Sequence, residues 1–140
     1  AGSAIAQDNR TYSTDACTVY AELEAYMASR STDELREIGR ALEATPDDLD
    51  AVKMRSITGL SEEASAFLYD SDEDQAMATM FLGAGFLKTH HPVLIEEYLA
   101  GEHEANGNPG GDEGAATAAA FFDMVIAGAL ETYQADCLAQ

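Results

Sequence analysis

Cys17 and Cys137 sit near opposite ends of a 140-residue chain that has no other cysteine. If they pair, the first and last elements must lie side by side, and the fold between them becomes one closed loop. In the chain-entropy account a loop of this length stabilises the native state by about 4–5 kcal/mol. Pairing calls for an oxidising compartment. Ala4-Ile5-Ala6, just before Gln7, has the small-x-small form of a signal-peptidase site. Together these features predict a periplasmic or secreted protein. Residues 1–13 read as a flexible lead, the remnant of a signal peptide or, given Gly2-Ser3, of a tag. Residues 14–140 read as a single helical domain.

The cysteines can meet only if both project toward one core, and the apolar spacing places them there. Ala16, Val19, Tyr20, Leu23, Tyr26 and Met27 recur with a period of about 3.6 residues. They predict a first helix over 16–29, capped by Thr14 or Asp15. Cys17 lies at the edge of that stripe. Ala119, Phe122, Val125, Ile126, Ala129, Leu130 and Tyr133 mark a last helix over 113–138, and Cys137 extends its stripe by one turn.

Shorter helices fill the interval. Ser31 and Glu34 have capping-box spacing and open a second helix that buries Leu35, Ile38 and Leu42. Thr45-Pro46-Asp47-Asp48 predicts a third start, with Leu49, Val52, Ser56 and Ile57 inward and Gly59 as the stop. Ser61-Glu62-Glu63 opens a fourth, with Ala64, Phe67 and Leu68 apolar. Asp70 or Ser71 caps a fifth, and Pro92 starts a sixth over 93–100 with Leu94, Ile95, Tyr98 and Leu99 apolar. Residues 101–114 read as a polar loop, and no segment has the alternation of a strand. The expected fold is all-α, an irregular bundle of six or seven helices with the first and last joined by a disulfide.

The fifth helix is the most apolar stretch, with Thr79 the one polar residue over 76–87. Met77, Met80, Phe81 and Ala84 mark one face, while Ala76, Ala78, Leu82, Phe86 and Leu87 fill the others, so the helix is expected to be buried on most sides. Gly83 and Gly85 each cost about 1 kcal/mol of helix propensity relative to alanine. The expected return is close approach of a neighbouring helix or a bound group.

Charge narrows the partners. The chain carries 26 Asp and Glu against 7 Lys and Arg, a net charge of −19. Such a surface repels nucleic acid and anionic membranes, which are themselves polyanionic. Basic proteins, cations and neutral small molecules remain. An acidic, lysine-poor surface is also what solubility in a salty habitat requires. No membrane-spanning segment is expected, because the run over 76–87 is short and the Ala-rich stretch over 115–130 is interrupted by Asp123.

His90, His91, Glu96, Glu97, Tyr98 and His103 gather imidazole and carboxylate groups around Pro92. His90, His91, Glu97 and His103 are the candidate ligands for a divalent metal, and either adjacent histidine with a tyrosine is a candidate for haem. No H-E-x-x-H or C-x-x-C-H signature accompanies them. Asp70-Ser71-Asp72-Glu73-Asp74 begins like a calcium loop, but Gln75 replaces the required glycine and Phe81 the closing glutamate. Glu104, Asn106, Asn108 and Asp112 form a second oxygen-rich candidate for calcium. No G-x-S-x-G elbow or glycine-rich phosphate loop is present, and a bridge would consume both thiols. The expected function is therefore non-enzymatic and without a resident cofactor. The chain reads as an exported acidic helical protein that binds another protein, in particular a basic one, or a small ligand. The alternative is a metal- or haem-binding protein using His90, His91 and His103.

Overall fold

A computed structural model describes residues 12–44 and 47–138. Among them are seven α-helices and no strand: α1 Thr14–Ser29, α2 Thr32–Glu43, α3 Ala51–Thr58, α4 Glu62–Tyr69, α5 Glu73–His90, α6 Pro92–Ala105 and α7 Gly111–Tyr133. A π-helical turn, Gln134–Leu138, follows α7. The all-α bundle and the Cys17–Cys137 disulfide joining its first and last helices are both present.

Local chemistry sets most of the boundaries. Ser31 and Glu34 form the reciprocal capping box at α2, and Ser61 caps α4 through the Ala64 N–H. Ser13, not Thr14 or Asp15, caps α1, because it holds the extended angles a cap needs while the next two residues are already helical. Asp72, rather than Asp70 or Ser71, caps α5 for the same reason.

Two helices depart further from expectation. Asp50 caps α3, so the helix begins at Ala51. Of the expected start, Thr45 and Pro46 lie outside the described residues, and Asp47 and Asp48 form a turn. The late start turns Val52 and Ser56 to solvent and brings Thr58 inward. Gly59 ends α3 in the left-handed region, at φ 78°, as its position suggests. The loop expected over 101–114 is mostly helix. Gly101 is carried inside α6, and the chain breaks only at Asn106–Gly110, where Gly107, Asn108 and Gly110 all take positive φ.

The centre of the core is aromatic. Tyr20 is fully buried, with the edge-on rings of Tyr12 at 4.9 Å, Phe67 at 6.0 Å and Tyr133 at 6.5 Å. Phe86 meets Tyr133 at 5.3 Å. The Tyr20 hydroxyl is 2.8 Å from the Thr79 hydroxyl, so its polar end is satisfied inside the core. Tyr12, which the sequence places in a flexible lead, is part of this cluster. Its N–H donates to the buried Asp136 carboxylate at 3.1 Å.

α5 packs against α1, α6 and α7. Gly85 allows the closest of these approaches: a methyl group at that position would stand 2.8 Å from Leu130 Cγ and 3.2 Å from Ile126 Cγ2. The expectation of burial on most sides is corrected. Thr79, Leu82, Gly85 and Phe86 are buried, whereas Met77 and Met80 face solvent. Small residues at 83–85 let the partners converge on one side and leave the methionine edge uncovered among the described residues.

α7 presents only Ile126 and Tyr133 as buried residues. Its expected inward stripe is right in direction, but most of the stripe is half-buried. Over Gly111–Leu138 the helix is, by length and composition, long and apolar enough to cross a membrane, contrary to the expectation drawn from Asp123. That carboxylate is paired with Lys88 of α5. The π turn rewinds the end of the helix and places Cys137 beside Cys17, with Cα atoms 5.4 Å apart.

Candidate ligand groove

α2 is sharply two-sided. Leu35, Ile38 and Leu42 share one face, and Asp33, Glu37 and Arg40 point elsewhere. Only Leu35 is buried. The helix packs against α3, meets the core through Leu35 and Ile38, and is tied to the bundle by polar links at His91 and Arg36.

The first link is His91. Proline at 92 ends α5 and makes His91 the boundary residue of both α5 and α6. Its ring is buried between α1 and α2. Nε2 donates to the Met27 carbonyl at 2.8 Å, since a carbonyl can only accept, and Nδ1 lies 2.8 Å from the Thr32 hydroxyl. The second link is Arg36, whose Nε and Nη2 donate to the two carboxylate oxygens of Glu97 at 3.2 and 2.8 Å. Arg36 also reaches Asp33 at 2.8 Å. The hydrogen bond from Arg36 holds the Glu97 carboxyl below the usual range, and the same bond raises the guanidinium.

Beside these contacts α2 borders a groove of about 560 Å³. Its floor is Leu23, Met27, Leu60, Leu68, Leu87 and Leu94, and its far wall is Leu35, Ile38 and Leu42 with Met54 at one end. Gly39 opens the wall further, since a methyl group there would meet nothing within 4 Å. The interior polar groups are already satisfied. Tyr26 donates to the Thr58 carbonyl at 2.5 Å, and the Thr58 hydroxyl donates to Met54 at 2.7 Å and accepts from the Leu60 N–H at 3.1 Å. The charged lining residues are Arg36, Arg40, Glu43 and Glu97, all with polar groups reaching solvent. Chemically, the groove can hold hydrocarbon and offers polar partners only at its rim.

The structure disperses the metal candidates. His90 is exposed in the last turn of α5, His91 is bonded through both ring nitrogens, and Glu97 is held by Arg36. His103 lies on α6, where Nε2 donates to the Gly111 carbonyl at 3.1 Å and staples the α6–α7 turn. Among the described residues no group of three or more His, Cys, Asp or Glu side chains could hold a metal ion. Of the calcium candidates, Glu104, Asn106 and Asn108 line a separate hollow of about 690 Å³ between the end of α6 and the start of α7, while Asp112 lies in the first turn of α7 and does not line it. Asp70 and Asp72 are the boundary residues of α4 and α5.

Sequence reasoning placed Leu35, Ile38 and Leu42 in the core and overlooked Gly39, Arg36 and Arg40. The available signal was Gly39 itself, a glycine in the middle of a strongly amphipathic helix. No protein-family model matches the chain, and neither a curated protein nor a solved structure matches it.

Proposed function

We propose that this is a non-enzymatic, exported binding protein that holds a small, mainly hydrocarbon ligand between α2 and the core. The observation that carries the reading is the groove itself. Its volume of about 560 Å³ lies within the range of roughly 300–1,000 Å³ usual for small-molecule sites. Its walls are apolar, its interior polar groups are already paired, and one wall is a helix tied down at discrete points. Export is supported by the Cys17–Cys137 bridge, which an oxidising compartment maintains.

Titration with a neutral, environment-sensitive aromatic hydrocarbon dye tests the proposal. Saturable binding at one dye per chain, displaced by an unlabelled long-chain alcohol, is the expected result. A signal that rises without saturation, or that the alcohol does not displace, would refute it.

A further inference from the structure

An apolar groove with an arginine at its rim is the usual way to hold a fatty-acid anion, because a guanidinium grips a carboxylate through two parallel hydrogen bonds. The groove beside α2 has two such residues on its lining, Arg36 and Arg40. Both are already engaged by carboxylates of the chain itself. The Nε–Nη2 edge of Arg36, the one a ligand carboxylate would take, is filled by Glu97 at 3.2 and 2.8 Å. Its Nη1 donates to Asp33 at 2.8 Å. Arg40 donates through Nη1 to Glu37 at 2.6 Å. Arg30 lies over the Tyr26 ring, 3.8 Å from its centroid, and is not part of the groove lining.

The local charge therefore runs against an anion. Glu43 also lines the groove, so the two guanidiniums at the rim are answered by Asp33, Glu37, Glu43 and Glu97. A ligand carboxylate would add to this excess and would have to evict Glu97 to reach Arg36. Arg36 is the less accessible of the two arginines, with its side chain 29% exposed against 65% for Arg40. An uncharged head group faces neither obstacle, and the interior offers no unpaired polar group to either kind of ligand.

We propose that Glu97 is the specificity-determining residue of the groove. By occupying the Arg36 fork it selects an uncharged amphiphile, such as a long-chain alcohol, over the carboxylate of the same chain length. The proposal rests on the groove reading above and adds to it the chemistry of the ligand's head.

The test is competition against a neutral hydrocarbon dye on the full, disulfide-bonded protein, at mildly alkaline pH where the acid is ionised. A long-chain alcohol, the carboxylate and the primary amine of the same chain length are compared below their micelle-forming concentrations. The carboxylate should bind about tenfold or more weakly than the alcohol. Glu97→Gln frees the guanidinium and should raise carboxylate affinity relative to alcohol by about tenfold. Loosening of α2 alone would shift both ligands together, so the ratio is the decisive reading. Adding Arg36→Gln to Glu97→Gln should cancel the gain. Equal binding of carboxylate and alcohol to the unaltered protein, or a ratio that Glu97→Gln does not move, would overturn the proposal while leaving the groove as a binding site. An amine that binds more tightly than the alcohol would assign the rim to a cation and overturn it too. A dye that none of the three displaces would remove the groove reading and the proposal with it.

Discussion

Arg36 grips both carboxylate oxygens of Glu97, at 3.2 and 2.8 Å, and among the described residues this is the one ion pair that joins α2 to another helix. The pair spans the mouth of the apolar groove. Both groups are partly exposed, so its contribution to global stability is small. Its effect is local. Glu97→Gln should raise hydrogen-exchange rates at the α2 amides and leave those of α1, α5 and α7 unchanged. The carboxyl is held below the usual glutamate range by the Arg36 hydrogen bond. Its folded pKa is depressed, so the contribution is present above the unfolded carboxylate pKa and is lost as pH falls through the folded one. Exchange in α2 should therefore stay slow at mildly acidic pH and rise only below the ordinary carboxylate range.

Gly39 faces the hollow and has nothing within 4 Å of the position a methyl group would take. Replacing glycine in a helix gains about 1 kcal/mol, and leucine is nearly as good a helix former as alanine. Gly39→Leu should accordingly raise the melting temperature by a few degrees while blocking the groove. A dye titration and a melt on the same sample check both halves. A variant that is stabilised and still binds dye at full affinity would place the ligand elsewhere.

The two glycines of α5 should respond in opposite ways. At Gly85 a methyl group would stand 2.8 Å from Leu130, whereas at Gly83 the nearest contact is Leu23 at an ordinary 3.9 Å. Overpacking costs about 1–3 kcal/mol and outweighs the propensity gain. Gly85→Ala should lower stability by about 1 kcal/mol, and Gly83→Ala should be neutral or gain up to about 1 kcal/mol. Urea denaturation of the pair measures the difference directly.

The aromatic core makes the protein sensitive to alkali. Burial, reinforced by the Glu24 carboxylate, pushes Tyr133 up to about 12. Burial is also the main cause of the raised values of Tyr12, Tyr20 and Tyr26. Groups whose folded pKa is raised stabilise the fold fully below the unfolded pKa, and that contribution is lost as pH rises through the folded value. Stability should be flat up to the ordinary tyrosine range near 10 and then fall as pH approaches 12. Tyrosinate absorbance should rise together with loss of near-ultraviolet dichroism. Tyr133→Phe should remove the highest step.

Where local chemistry alone decides, the sequence reads cleanly. The stripe from Ala16 to Met27 faces inward, Ser31 and Ser61 cap their helices, and Cys17 reaches Cys137. Tertiary placement, which decides between equivalent faces, is not legible in the same way. α5 is apolar all round, so its composition could not tell that Leu82 and Phe86 turn inward while Met77 and Met80 turn out. The run at 101–114 is rich in turn residues, yet α6 continues to Ala105, because propensity is a weak prior inside a packed hairpin. His90, His91 and His103 are close in sequence but belong to a helix end, a buried joint and a turn staple. The inward face of α2 reads correctly at Leu35, which joins the core, and at Ile38, which packs against it, but the pattern could not show the groove that the same residues line.

The most direct test is native mass spectrometry of the protein isolated from its own source with the Cys17–Cys137 bridge intact. The predicted result is a single added small-molecule mass per chain, released by extraction into organic solvent and absent from Gly39→Leu. Bare protein that takes up neither the native extract nor a neutral hydrocarbon probe would contradict the account.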